Sequence, residues 1–164
     1  MAIKALTLSE TFEHVSDTDP SKIKKTVPVD PKDPAKGTKE EVTIEEGATV
    51  FGLKPLDVFL MGHIYDNAST LTGKQGSEDI GIHTRVNQTN IEAVKFGLAY
   101  FKNFKDEKGN DLVVKPVKAH VNGREYDAAS DETLKHLGNR LIAELAREIK
   151  EKSEVTKDDE KNSD

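Results

Sequence analysis

The residues able to do chemistry in this chain are dispersed. Gly73 and Gly76 flank Lys74 and Gln75 as G-K-x-G. A phosphate-cradling loop needs GxxxxGK followed by Ser or Thr, so that successive amides and the Lys converge on one phosphate; this stretch lacks that spacing. The nucleophile elbow GxSxG, the zinc helix HExxH and an EF-hand acidic ladder do not occur. Five histidines stand far apart, at His14, His63, His83, His120 and His136. His63 and Asp66 lie three residues apart and would share one helical face, but two ligands do not close a metal site. The chain has no Cys, which excludes a thiol nucleophile, a disulfide scaffold and Cys-ligated zinc or iron–sulfur centres. Carboxylates are plentiful, and no pair is marked out for acid–base work. No residue is therefore singled out as catalytic, cofactor-binding or metal-ligating. The chain is read as a non-enzyme without cofactor or small-molecule substrate.

Charge and apolar content divide the 164 residues into three parts. Residues 1–48 carry a net charge of -3 and four of the six Pro, residues 153–164 carry another -3, and residues 49–152 are neutral. The middle also holds five of the six Phe and all three Tyr. The expected organisation is an extended N-terminal arm over 1–48, one domain over 49–152 and a charged tail over 153–164. Acidic arms and a neutral middle speak against direct nucleic-acid binding, which draws on a surplus of basic residues. No apolar run approaches the 18 residues that would span a bilayer, so no membrane partner is expected, and the first ten residues do not form a secretory signal.

In the N-terminal part, residues 6–15 suggest a short strand. Pro20, Pro28, Pro31 and Pro34 then remove donors and push their predecessors to extended geometry, which predicts a linker of polyproline character over 17–37. Residues 41–53 alternate around Glu46-Gly47 and predict a β-hairpin. Pro55 opens a helix to about Ala68, with Leu56, Phe59, Leu60 and Ile64 on one face. Residues 69–86, with three Gly and no periodicity, read as a long loop. Asn87 is placed as the cap of a helix reaching Phe104, because Ile91, Val94, Leu98 and Phe101 recur at helical spacing.

Residues 112–120 read as a strand that Pro116 confines to an edge. Asn122-Gly123 marks a tight turn into a return strand over 124–127. Finally Ser130 caps a helix whose stripe is Leu134, Leu137, Leu141, Leu145 and Ile149, with Arg140, Glu144 and Arg147 outside it. The class is α+β: a small antiparallel sheet and hairpins with about three helices.

Three stretches, residues 49–69, 92–110 and 130–162, resemble small morphogenesis proteins of tailed bacteriophages. The resemblance rests on TVFGLKPLDVFLMGHIYDNAS, EAVKFGLAYFKNFKDEKGN and the SDETLKHLGNRLIAELAREI helix with its Lys-Asn tail. It implies a virion structural protein of the neck, tail or capsid surface, present in many copies and bound to copies of itself and to other phage structural proteins. A tail-assembly chaperone, which binds the tail measuring protein and is absent from the mature particle, is the alternative it leaves open. The Pro- and Lys-rich insert between Asp19 and Glu46 departs from the shorter arm of that pattern.

Overall fold

A computed structural model of the chain describes residues 2–69 and 78–154, with side chains described over 2–66 and 86–154. The class is α+β, with four α-helices and three small antiparallel sheets among the described residues. The central sheet has three strands in the order β1 (Phe12–His14), β4 (Val50–Leu53), β5 (Leu98–Lys102). A separate hairpin joins β2 (Lys22–Pro28) to β3 (Thr38–Ile44). A second joins β6 (Pro116–Val121) to β7 (Arg124–Ala129) through Asn122-Gly123, both at positive φ as a primed turn requires. The helices are α1 (Val58–Ser69), α2 (Glu78–Gly97), the short α3 (Asp131–Lys135) and α4 (Gly138–Glu154). They bury Leu60, Ile64, Val94, Leu145 and Ile149 against Phe51 and Leu53 of the central sheet.

Several elements stand where the sequence places them. α1 is one of them, but it starts at Val58 and not at Pro55, leaving Leu56 before the helix and Phe59 exposed. The reason is its cap, Asp57: the Asp57 carbonyl accepts from the Met61 amide at 3.0 Å and its carboxylate from the Leu60 amide at 2.8 Å. The Tyr126 hydroxyl donates to the same carboxylate at 3.0 Å, which fastens the start of α1 to β7. Ser130 accepts from the Thr133 amide at 3.2 Å, and Asp131 and Glu132 occupy the first turn of α3.

Others differ, each for a physical reason. The strands over 41–53 exist but do not pair with each other: β3 pairs with β2, and β4 lies between β1 and β5. Alternation marks a strand; it does not name the partner, and all of β3 is exposed. The prolines expected to make a linker instead punctuate a hairpin. Pro28 is the last residue of β2 to pair, opposite Thr38, and Pro34 opens a 3₁₀ turn capped by Asp33.

The helix expected to run from Asn87 to Phe104 begins earlier and ends sooner. Residues 78–86, read as loop, form the first turns of α2, since a helix anchored by packing at Val94 propagates outward at small cost. Asn87 lies inside that helix. Beyond Gly97 the chain turns into β5, where Phe101 sits edge-on to Phe51 and Phe104. The G-K-x-G stretch lies outside the described residues.

The long C-terminal stripe is also interrupted. Gly138, at φ +74°, ends α3 and restarts the chain as α4. The buried positions afterwards are Ile142, Leu145, Ala146, Ile149 and Ser153, while Leu141 is only half-buried. Ser153, expected to open the tail, is buried in the last turn of α4. It accepts from the Leu56 amide at 2.8 Å and donates to the Ile149 carbonyl at 2.6 Å. The tail from residue 155 onward lies outside the described residues.

Candidate functional site

Two features of the first 48 residues set up the candidate site. One is a fastening of the chain onto α4. The other is the pair of segments that this fastening leaves projecting.

The fastening centres on Glu144. Its carboxylate accepts from the Ser16 hydroxyl at 2.7 Å and from the Asp17 amide at 2.9 Å, and it faces His14 Nε2 at 3.3 Å. Burial alone would raise this carboxyl, but the Asp17 amide, the Ser16 hydroxyl and His14 together hold it below the usual range. Serine, histidine and a carboxylate meet here without the order that nucleophilic catalysis needs. In a triad the imidazole stands between hydroxyl and carboxylate and takes the hydroxyl proton. Here the carboxylate stands between, so Ser16 is held in place without the imidazole base of a triad. The sequence placed Glu144 outside the apolar stripe of its helix; in α4 it flanks the buried Leu145 on the side that meets residues 14–17.

Asp19 fixes the next stretch. Its two carboxylate oxygens accept from the Ser21 amide at 2.9 Å and the Thr49 amide at 2.8 Å. The two ends of the β2–β3 hairpin are thereby held together, with the Glu45 amide on the Ser21 carbonyl at 2.8 Å. The short Asp-x-Ser spacing at 19–21 was the sequence signal for this turn. On the opposite side of β1, Glu13 accepts from Lys102 at 2.6 Å and from the Tyr100 hydroxyl at 2.9 Å. The Lys102 ammonium and then the Tyr100 hydroxyl hold Glu13 below its ordinary value. Residues 12–17 are thus tied to both β5 and α4.

What lies beyond these ties is exposed. Every residue of β3 is exposed, including Val42 and Ile44, and so is Val29 beyond β2. Residues 2–11 have no regular secondary structure, with Leu6 and Leu8 substantially exposed and Ile3 fully so. Between the fastening and α4 lies a cleft of about 500 Å³ lined by Ser16, Pro20, Phe51, Phe104, Leu137 and Leu141.

The described histidine side chains do not converge. His14 faces Glu144, His120 lies 3.5 Å from Glu125 on the β6–β7 hairpin, and His136 ends α3. The side chain of His83 lies outside the described residues. Among the described residues no three His, Asp or Glu come together as a metal-holding group, and His63 with Asp66 gains no third ligand. No described helix is long and apolar enough to cross a membrane.

Replacing Glu144 by Gln should loosen the fastening. The substitution keeps the size but removes the charge that three donors address, for a loss of roughly 1–3 kcal/mol at neutral pH. A carboxyl lowered by folding stabilises above its unfolded value, about 4.3, and that contribution disappears as pH falls through the lowered folded value. Urea denaturation should therefore separate Glu144→Gln from the parent at pH 7 and bring the two together as pH falls through that lowered folded value. A gap independent of pH would assign the loss to shape rather than charge.

Compared with models of known protein families, with curated proteins and with solved structures, the chain matches none of them.

Proposed function

We propose that this chain is a structural protein of a tailed-bacteriophage virion, made in the bacterial host and present in many copies at the neck, tail or capsid surface. It works by contact with copies of itself and with other phage structural proteins, and it performs no catalysis. The observation that carries this reading is the β2–β3 hairpin. It is fastened at its base by Asp19, yet all of β3 is open, with Val42 and Ile44 on one side. An isolated two-stranded hairpin is marginal in water, so residues of this kind suit a protein completed by its neighbours. The exposed segment 2–11 has the same character. The family resemblance of residues 49–69, 92–110 and 130–162 supplies the phage setting.

The test removes the hairpin and spares the body. Residues 22–44 are replaced by a short Gly-Ser connection that keeps β1, Asp19 and Thr49. The expected result is a cooperatively folded chain, by circular dichroism and thermal melting, that no longer enters particles. Particles that accept this variant at the normal level would overturn the reading.

A further inference from the structure

The outer edge of β3 and the segment 2–11 fit each other. Among the described residues the two-stranded sheet ends at β3, so alternate backbone donors and acceptors along Thr38–Ile44 face outward without a strand against them. Natural sheets blunt such an edge with Pro, a bulge or a cover. β3 carries no Pro, its register against β2 runs unbroken from Ile44 to Thr38, and its side chains are exposed throughout. Its charges, Lys39, Glu40 and Glu41, discourage indiscriminate pairing and leave room for one specific partner strand.

We propose that residues 2–8 of one copy add to the β3 edge of a second copy as a parallel third strand, with Lys4 opposite Glu40, Leu6 opposite Val42 and Leu8 opposite Ile44. This deepens the reading of the chain as a multi-copy assembly protein and rests on it. In this register the even-numbered residues share a face. Leu6 and Leu8 cover the exposed Val42 and Ile44, opposite charges meet at Lys4 and Glu40, and Thr7 falls beside Thr43. Within residues 2–8 no like charges are opposed. The antiparallel alternative that preserves both apolar pairs sets Leu6 on Ile44 and Leu8 on Val42, and Lys4 then falls opposite Glu46, beyond the end of β3. Only the parallel register places an opposite-charge pair, Lys4 with Glu40, on the strand itself. Because the donor segment and the acceptor edge are different surfaces, the contact is heterologous: each copy gives one strand and receives one, as a ring or a helical stack requires.

The chain has no native Cys, so paired cysteine variants report the contact directly. Full-length Leu6→Cys is mixed with mass-tagged Val42→Cys and oxidised with diamide. As a control, Leu6→Cys is mixed with Val113→Cys, an exposed site outside β3. The expected result is a mixed disulfide dimer at Leu6–Val42 in at least tenfold excess over the control. Charge reversal at Lys4→Glu should lower that yield, and Glu40→Lys in the second chain should restore it. Equal yields with the control, or none, would overturn the proposal. So would a link in the Leu6→Cys, Val42→Cys double variant that stays within one chain at every dilution, since the segment would then belong to its own β3. Presence of the protein in purified particles without the mixed dimer would overturn the strand addition and leave the structural reading intact. The mixed dimer without presence in particles would do the reverse.

Discussion

Leu145→Asp should abolish cooperative folding. Leu145 has no exposed surface and sits at the centre of α4, within the core formed by the helices and the central sheet. A carboxylate there meets only apolar side chains, and burying it unpaired costs several kcal/mol even after relaxation. That is comparable with the roughly 5–15 kcal/mol that holds a domain of this size together. Leu141, four residues earlier, belongs to the same stripe in the sequence but is half-buried on the wall of the cleft. Leu141→Asp can turn its charge toward water, and about 1–2 kcal/mol is the expected loss. Thermal and urea unfolding of the two variants would check this. Equal damage from both would mean that Leu141 is as deeply enclosed as Leu145.

Gly97→Ala should damage the core although it adds only one methyl group. A methyl group at this position would fall 2.5 to 2.9 Å from three side-chain atoms of Ile149, a residue with no exposed surface. Real contacts are not that close, so either Ile149 leaves its place or α2 and α4 move apart. Overpacking of this sort costs about 1–3 kcal/mol. The double variant Gly97→Ala, Ile149→Ala supplies the check, because removing the Ile149 branches relieves the collision. The two losses should then combine to less than their sum by at least about 0.5 kcal/mol in a double-mutant cycle. Strict additivity would show that the two residues are not in contact.

These two sites mark where the sequence speaks clearly and where it falls silent. The α+β class, the Leu60 and Ile64 face of α1, the Asn122-Gly123 turn and the Ser130 cap depend on residues within a few positions of one another. Local patterns report local geometry, so all were legible. Strand partnership was not. The alternation over 41–53 is the same whether β4 pairs with β3 or with β1 and β5, and only packing in three dimensions decides.

The candidate site was hidden for the same reason. Glu144 and residues 14–17 are separated by more than 120 positions, and no helical period announces that one carboxylate on a charged face turns inward. The end of α2 was obscured by a coincidence of spacing. Leu98 and Phe101 continue the helical count from Val94, yet they stand on a strand after Gly97. The same packing bears on the arm expected over residues 1–48. Its residues 12–17 are held by β4, β5 and α4, while residues 2–11 and the β2–β3 hairpin project. Cutting the chain at residue 46 would therefore remove β1 and the Glu144 fastening along with the projecting parts.

The proposed role requires that this protein remain in the particle it would help to build. Quantitative mass spectrometry of particles purified through a density gradient measures that directly. The expected result is the chain at a fixed ratio to the other structural proteins, in several copies per particle. Its absence from mature particles, with abundance in the infected cell, would contradict the account and assign the projecting hairpin and N-terminal segment to a chaperone that leaves before assembly is complete.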